Sequence, residues 1–155
     1  MAYYYAYTYA LAQTSGTPNT LLDMLRMTTA TQVPAAVAMV SGGAVGTTVG
    51  GIVIRGGRFI TASTVGTGVT PLLKNPKDPA ASTVIATLPT AGTTYSPQIS
   101  LGLPATGGMG VWAALDPDQF VKLDSNGGAN GNFDWQSYAP IATATFDFTP
   151  EWWEF

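Results

Sequence analysis

Residues 3–12 read YYYAYTYALA. Tyr3, Tyr5, Tyr7, Tyr9 and Leu11 recur at every second position, with Tyr4, Ala6, Thr8 and Ala10 between them. A period of two sends alternate side chains to opposite faces of an extended chain, and aromatic rings fit a pleated surface. The segment is therefore predicted as a β-strand with one tyrosine-covered face. Such a strand serves its own sheet or augments a neighbour's equally well, because Tyr joins an apolar ring to a polar hydroxyl.

The rest of the chain repeats the theme in shorter pieces. Eighteen Gly and eleven Pro are spread over the 155 residues, and Thr and Val are abundant. Few windows can sustain a long helix. Many short strands separated by Gly, Pro and Asn turns point to a sandwich or barrel. Strands are predicted at Val37–Val40, Ser82–Ala86, Tyr95–Leu101, Gly110–Ala114, Gln119–Leu123 and Ile141–Phe148. A long one is predicted from Val49 to Thr61, with the Gly56-Gly57 pair allowing a bulge or sharp bend.

The segment TPNTLLDMLRMTTATQ, residues 17–32, has two readings. Thr20 with Asp23 caps one or two helical turns with Leu21, Leu22 and Leu25 inward. Alternatively it is a strand carrying Leu22, Met24 and Arg26 on one side. Residues 64–83, TVGTGVTPLLKNPKDPAAST, carry Pro71, Pro76 and Pro79, which forbid a regular central strand or helix. An extended, conformationally restricted loop lying on a surface is expected there. No linker, second domain or fixed-period repeat is evident. The expectation is one domain over residues 1–148, followed by an aromatic C-terminal tail at 149–155.

Composition narrows the function. Apolar residues make up 46% of the chain and charged residues only 10%. A typical globular chain has about 25% charged residues. A surface with few ions is easily desolvated, which suggests that neighbouring subunits cover much of it. Three Lys and three Arg, with a net charge of −3, leave no electrostatic footprint for nucleic acid. The opening MAYYYAYTYALAQTSG lacks a basic region and a long apolar run, so no cleaved signal is expected. No apolar run is long enough for a membrane helix.

The chain has no Cys and no His. That removes disulfides, thiolate metal sites and the nucleophile systems that use His as base. Lack of Cys fits synthesis in a reducing cytoplasm. Asp116 and Asp118 around Pro117 could form a carboxylate pair, but a turn capped by Asp is the simpler reading of DPD. The Asp124–Asp134 loop has calcium-loop spacing at Asp124 and Asn126. It then departs from the pattern, with Ala129 at the Gly position and Trp135 at the Glu position. SGGAVGTTVGG lacks the Gly-Lys ending of a phosphate loop. No catalytic residue, cofactor or metal is predicted, and an enzyme is not expected.

The aromatic residues gather at the two ends of the chain. At the C-terminus, PEWWEF places Trp152, Trp153 and Phe155 close together. Each ring offers a large apolar area, and anchoring between subunits is the simplest use of them. The predicted protein interface is Tyr3, Tyr5, Tyr7, Tyr9, Pro71, Leu72, Leu73, Pro76, Pro79, Trp152, Trp153 and Phe155. Rings also stack on sugars, so a carbohydrate-binding module is the second hypothesis.

The 64–83 run resembles a motif of small bacteriophage virion proteins of the head-decoration or cement type. The matching positions are Thr67, Gly68, Val69, Thr70, Pro71, Pro76, Asp78, Pro79, Ala80 and Ala81. VWAALDPDQFVKL at 111–123 and the aromatic-acidic ending ATATFDFTPEWWEF are similar to that family's later strands. The N-terminal third, the GGANGN insertion and the WW ending depart from it. The resemblance implies an all-β, antiparallel β-sandwich of jelly-roll type with a long Pro-rich loop. It implies a virion location on the capsid surface, the major capsid protein as partner, and a homotrimer. A tail, fibre or neck component of the same particle would share this composition.

Overall fold

The computed structural model describes residues 1–14, 21–28, 34–44, 51–59, 66–87, 95–104, 109–123, 132–138 and 143–155. In the first half, the strands are β1 (Ala2–Tyr5), β2 (Thr8–Thr14), β3 (Leu21–Thr28), β4 (Ala35–Ala44) and β5 (Ile52–Phe59). Then come β6 (Thr67–Val69), β7 (Leu72–Leu73), β8 (Val84–Thr87) and β9 (Tyr95–Leu103). The last are β10 (Met109–Ala113), β11 (Val121–Leu123), β12 (Asn132–Tyr138) and β13 (Thr143–Glu154). They form two antiparallel sheets, an all-β sandwich. One has the order β10-β4-β13-β1-β7, with β11 also on β4 and β2 also on β13; the other has the order β6-β8-β3-β12-β5-β9.

Alternation explains which faces meet. In β1 and the link to β2, Ala2, Tyr4, Ala6 and Thr8 are buried, whereas Tyr3 and Tyr5 are half-buried and Tyr7 is exposed. Residues 3–12 are extended as read, but in two strands broken at Ala6 and Tyr7, and a register shift against β13 between Thr8 and Leu11 ends the simple alternation; Tyr3 and Tyr5 lie on the outside of the first sheet. Residues 21–28 take the strand alternative, with Leu25 and Met27 inward and Arg26 on the other side.

The core lies between the sheets and is built on rings. Trp135 is fully buried, with its ring centroid 4.9 Å from Phe133 and 5.0 Å from Phe148 of the opposite sheet, both edge-on. Its indole N–H points at the Met27 sulfur, 3.5 Å away. Gly56 makes room for this cluster: a Cβ there would sit 2.4 Å from the Trp135 ring and 2.7 Å from Phe133. Gly56→Ala is therefore expected to lower stability by about 1–3 kcal/mol through overpacking, seen as a lower denaturant midpoint with an unchanged slope. The pairing of β5 with β9 shifts register between Gly56 and Gly57, with Gly56 opposite Ile99 and Gly57 opposite Pro97. The extra residue, Gln98, is thus on β9.

The C-terminal segment corrects the expected domain boundary. Residues 149–154 are no tail: they continue β13, which runs through the middle of its sheet between β4 and the β1–β2 line. A central strand normally excludes proline, for want of an N–H. Here the Pro150 carbonyl accepts the Ala6 N–H at 3.1 Å, so the side of Pro150 without a donor faces the break between β1 and β2. The Thr8 hydroxyl fills part of that gap by donating to the Phe148 carbonyl at 2.6 Å.

The Pro-rich stretch crosses the edge of the sandwich. β6 pairs with β8 in one sheet, β7 pairs with β1 in the other, and the chain then returns to β8. Three contacts hold it from inside. Tyr4 donates its hydroxyl to the Pro79 carbonyl at 2.9 Å, and the buried Glu154 carboxylate accepts the Ser82 and Thr83 N–H groups at 2.9 and 2.7 Å. Asp116 caps a 3-10 turn at Pro117–Gln119 by accepting the Asp118 N–H at 2.9 Å, which is the turn read from DPD. Residues 124–131 of the calcium-like loop lie outside the described residues.

Candidate interaction surface

The outward face of the β10–β4–β13–β1–β7 sheet is assembled by strand parity. Trp152 and Tyr4 point into the core with ring centroids 5.9 Å apart, so their neighbours Trp153 and Tyr3 point out and pack at 4.4 Å. Leu72 pairs with Tyr5, and Val111 pairs with Ser41, on the same outer side. Among the described residues, the exposed large hydrophobics are Met1, Tyr7, Leu72, Val84, Met109, Val111, Leu115 and Phe155. All but Val84 lie on this sheet or its flanks. Leu115 is 91% exposed and Met109 72%.

Two of the ions on this face pair with each other, and a third accepts a hydrogen bond. The Lys74 amine lies 3.1 Å from the Glu151 carboxylate and 4.9 Å from the centre of the Tyr5 ring. The Tyr7 hydroxyl donates to Asp147 at 3.1 Å. At one end of the face is an apolar cleft of about 330 Å³, lined by Met1, Pro117, Asp118, Phe120, Lys122, Trp153 and Phe155.

Burial pushes the Tyr3 phenol well above its ordinary pKa of 10.0, helped by its hydrogen bond to Glu151 and that residue's charge. Tyr4 is raised for the same first reason, with the charges of Glu154 and Asp78 adding to it. Both phenols bind a proton more tightly folded than unfolded. Their stabilisation is complete below pH 10 and is lost as pH rises from there through the raised folded values. Unfolding free energy measured against pH should therefore fall above pH 10. A flat curve in Tyr3→Phe with Tyr4→Phe would assign the effect to them.

The sequence-predicted residues divide into several groups. Tyr3, Tyr5, Tyr7, Leu72, Trp153 and Phe155 come together on or beside this face. Trp152 does not: it is fully buried in the core, because β13 continues past Pro150 and alternation turns it inward. Leu73 packs against the core, Pro71 is half-buried, and Pro76 and Pro79 are exposed at the edge. Tyr9 lies in β2, and its side chain is outside the described residues. Sequence reasoning passed over Met109, Val111, Leu115 and Phe120. The signal was the alternation of MGVWAAL, which marks a strand but not which of its faces is covered.

No protein-family model matches the chain, and no curated protein matches it. Among solved structures, it is similar to a chain of the infectious bursal disease virus particle at 12% identity and a TM-score of 0.24. That match covers 99% of this chain and 39% of the other. It is also similar to a chain of T=1 particles derived from infectious bursal virus, at 10% identity and a TM-score of 0.23, covering 96% and 39%. This chain thus spans 39% of the length of each.

Proposed function

We propose that this chain is a structural subunit of a bacteriophage particle, a decoration or cement protein that docks through the outer face of the β13 sheet and bridges major capsid subunits. The observation that carries this reading is the exposed face, with many apolar side chains and few ions, beside a core that is complete without it. Docking a face of this kind requires little ion desolvation. A standard interface buries roughly 1,600 Å² in total, and repetition over a shell multiplies modest contacts.

The strand order supports the jelly-roll reading. When β1–β2 and β10–β11 are each taken as one strand, β1-β13-β4-β10 faces β3-β12-β5-β9. The Pro-rich excursion is then an insertion between β5 and β9. Jelly rolls serve viral capsids and lectins alike, so the fold does not choose between them. The homotrimer implied by the family resemblance is its proposed stoichiometry on the shell.

The test is a cryo-EM map of the source particle, with occupancy of a Tyr7→Lys, Leu72→Lys variant beside it. Two charges forced into a desolvated contact should reduce occupancy roughly tenfold or more. Exposed substitutions of this kind should leave the melting of the free protein nearly unchanged. Full occupancy, or a particle without the chain, sinks the reading. Location on the tail or neck moves it to another part of the virion. The cleft between Trp153 and Phe120, with Asp118 and Lys122 on its walls, favours carbohydrate binding as the second reading. Binding on a glycan array, without particle association, would establish it.

A further inference from the structure

An open strand edge is a template for further pairing, and proteins guard such edges with short strands, prolines and charges. Most edges of this sandwich are guarded. β6 has three residues, β7 has two and lies between Pro71 and Pro76, and β9 contains Pro97. β11 carries Lys122, whose carbonyl accepts a hydrogen bond from Arg58 of the other sheet. Among the described residues, two edges, β2 and β10, lack all of these guards, and β10 stands out because its outward side chains are exposed. Its five residues, MGVWA, are uncharged and free of proline, and among the described residues β4 is its only strand partner. On the outer side, Met109 and Val111 stand 72% and 53% exposed.

We propose that β10 pairs antiparallel with β10 of a second copy of this chain, joining the two β13 sheets across a two-fold axis. The occupant is argued from the strand's own complementarity. The register with greatest overlap that keeps outer faces aligned is centred on Val111. It sets Val111 opposite Val111, Met109 opposite Ala113 and Gly110 opposite Trp112. In each unlike pair a large side chain meets a small one, and no like charges meet. Isologous pairing of this kind closes after two copies. On a shell the contact would occupy a local two-fold and leave the outer face free for other partners, so it stands independently of the virion reading.

The absence of cysteine from the chain makes the register directly testable. Residues opposite each other in an antiparallel pair have Cβ atoms about 4.5–5.5 Å apart, close enough to be bridged with a small shift. Under mild oxidation of the purified full chain, Val111→Cys should form a covalent dimer roughly tenfold or more faster than Val84→Cys, an exposed position in the other sheet. Ala12→Cys, opposite Thr145 in the uncharged edge strand β2, is a second comparison. Val111→Lys should shift the wild-type dimer to monomer in light scattering while keeping its β circular dichroism. A wild-type monomer at the highest soluble concentration would overturn the proposal. So would Val111→Cys linking no faster than Val84→Cys, or linking found at Ala12→Cys instead.

Discussion

Glu154→Ala is expected to lower the unfolding free energy by about 3–5 kcal/mol and to loosen residues 79–83 from the sandwich. Glu154 is 6% exposed, and its carboxylate accepts from three donors: the Ser82 and Thr83 backbone N–H groups and, at 3.3 Å, the Trp152 indole N–H. Hydrogen bonds to a charged acceptor contribute about 1.5–3 kcal/mol each, and buried donors left without partners are penalised further. Against this, alanine removes a desolvated carboxylate, which keeps the net loss below the sum of the three bonds. Glu154→Gln keeps an acceptor oxygen but sets an amide NH₂ beside groups that are all donors, so it should lose roughly half as much. Chemical denaturation gives the free energy. Hydrogen exchange at Ser82 and Thr83 gives the local effect, and both amides should exchange faster in either variant. Wild-type exchange there in Glu154→Ala would show that the excursion is held by something else.

Trp152→Ala and Trp153→Ala should behave as different kinds of substitution, although the residues are adjacent. Trp152 is fully buried against Tyr4, and its removal leaves a cavity in the core; a loss of about 3–5 kcal/mol is expected. For a domain whose whole stability is about 5–15 kcal/mol, that is a large fraction. Trp153 lies half-buried on the outer face against Tyr3, and its removal should lower stability by about 1 kcal/mol. Trp153→Ala is thus the variant that probes docking, because it leaves a folded domain. Equal denaturant midpoints for the two variants would contradict the inward and outward assignments along β13.

The parity of YYYAYTYALA is enough to mark a strand, because a period of two has no helical reading. Gly- and Pro-broken segments at short spacing mark an all-β chain for the same local reason. The DPD turn is legible too, since Asp caps act within three residues. What periodicity cannot supply is which face of a strand meets the core. Tyr4 turns inward, and Tyr3 and Tyr5 stay outside, because β1 pairs with β13 in the register of Tyr4 with Trp152.

The course of residues 149–154 shows the same limit. Pro150 ends a strand by local rules, yet β13 continues because the break between β1 and β2, at the far end of the chain, meets the side of the proline without a donor. The sequence by itself determined strand content, turn positions and a surface poor in charge, all of which follow from residue type and spacing. Only the tertiary structure decided that Trp152 is core and Trp153 surface, and that Met109, Val111 and Leu115 remain uncovered. Those outcomes depend on pairing between distant segments, and no local pattern encodes it.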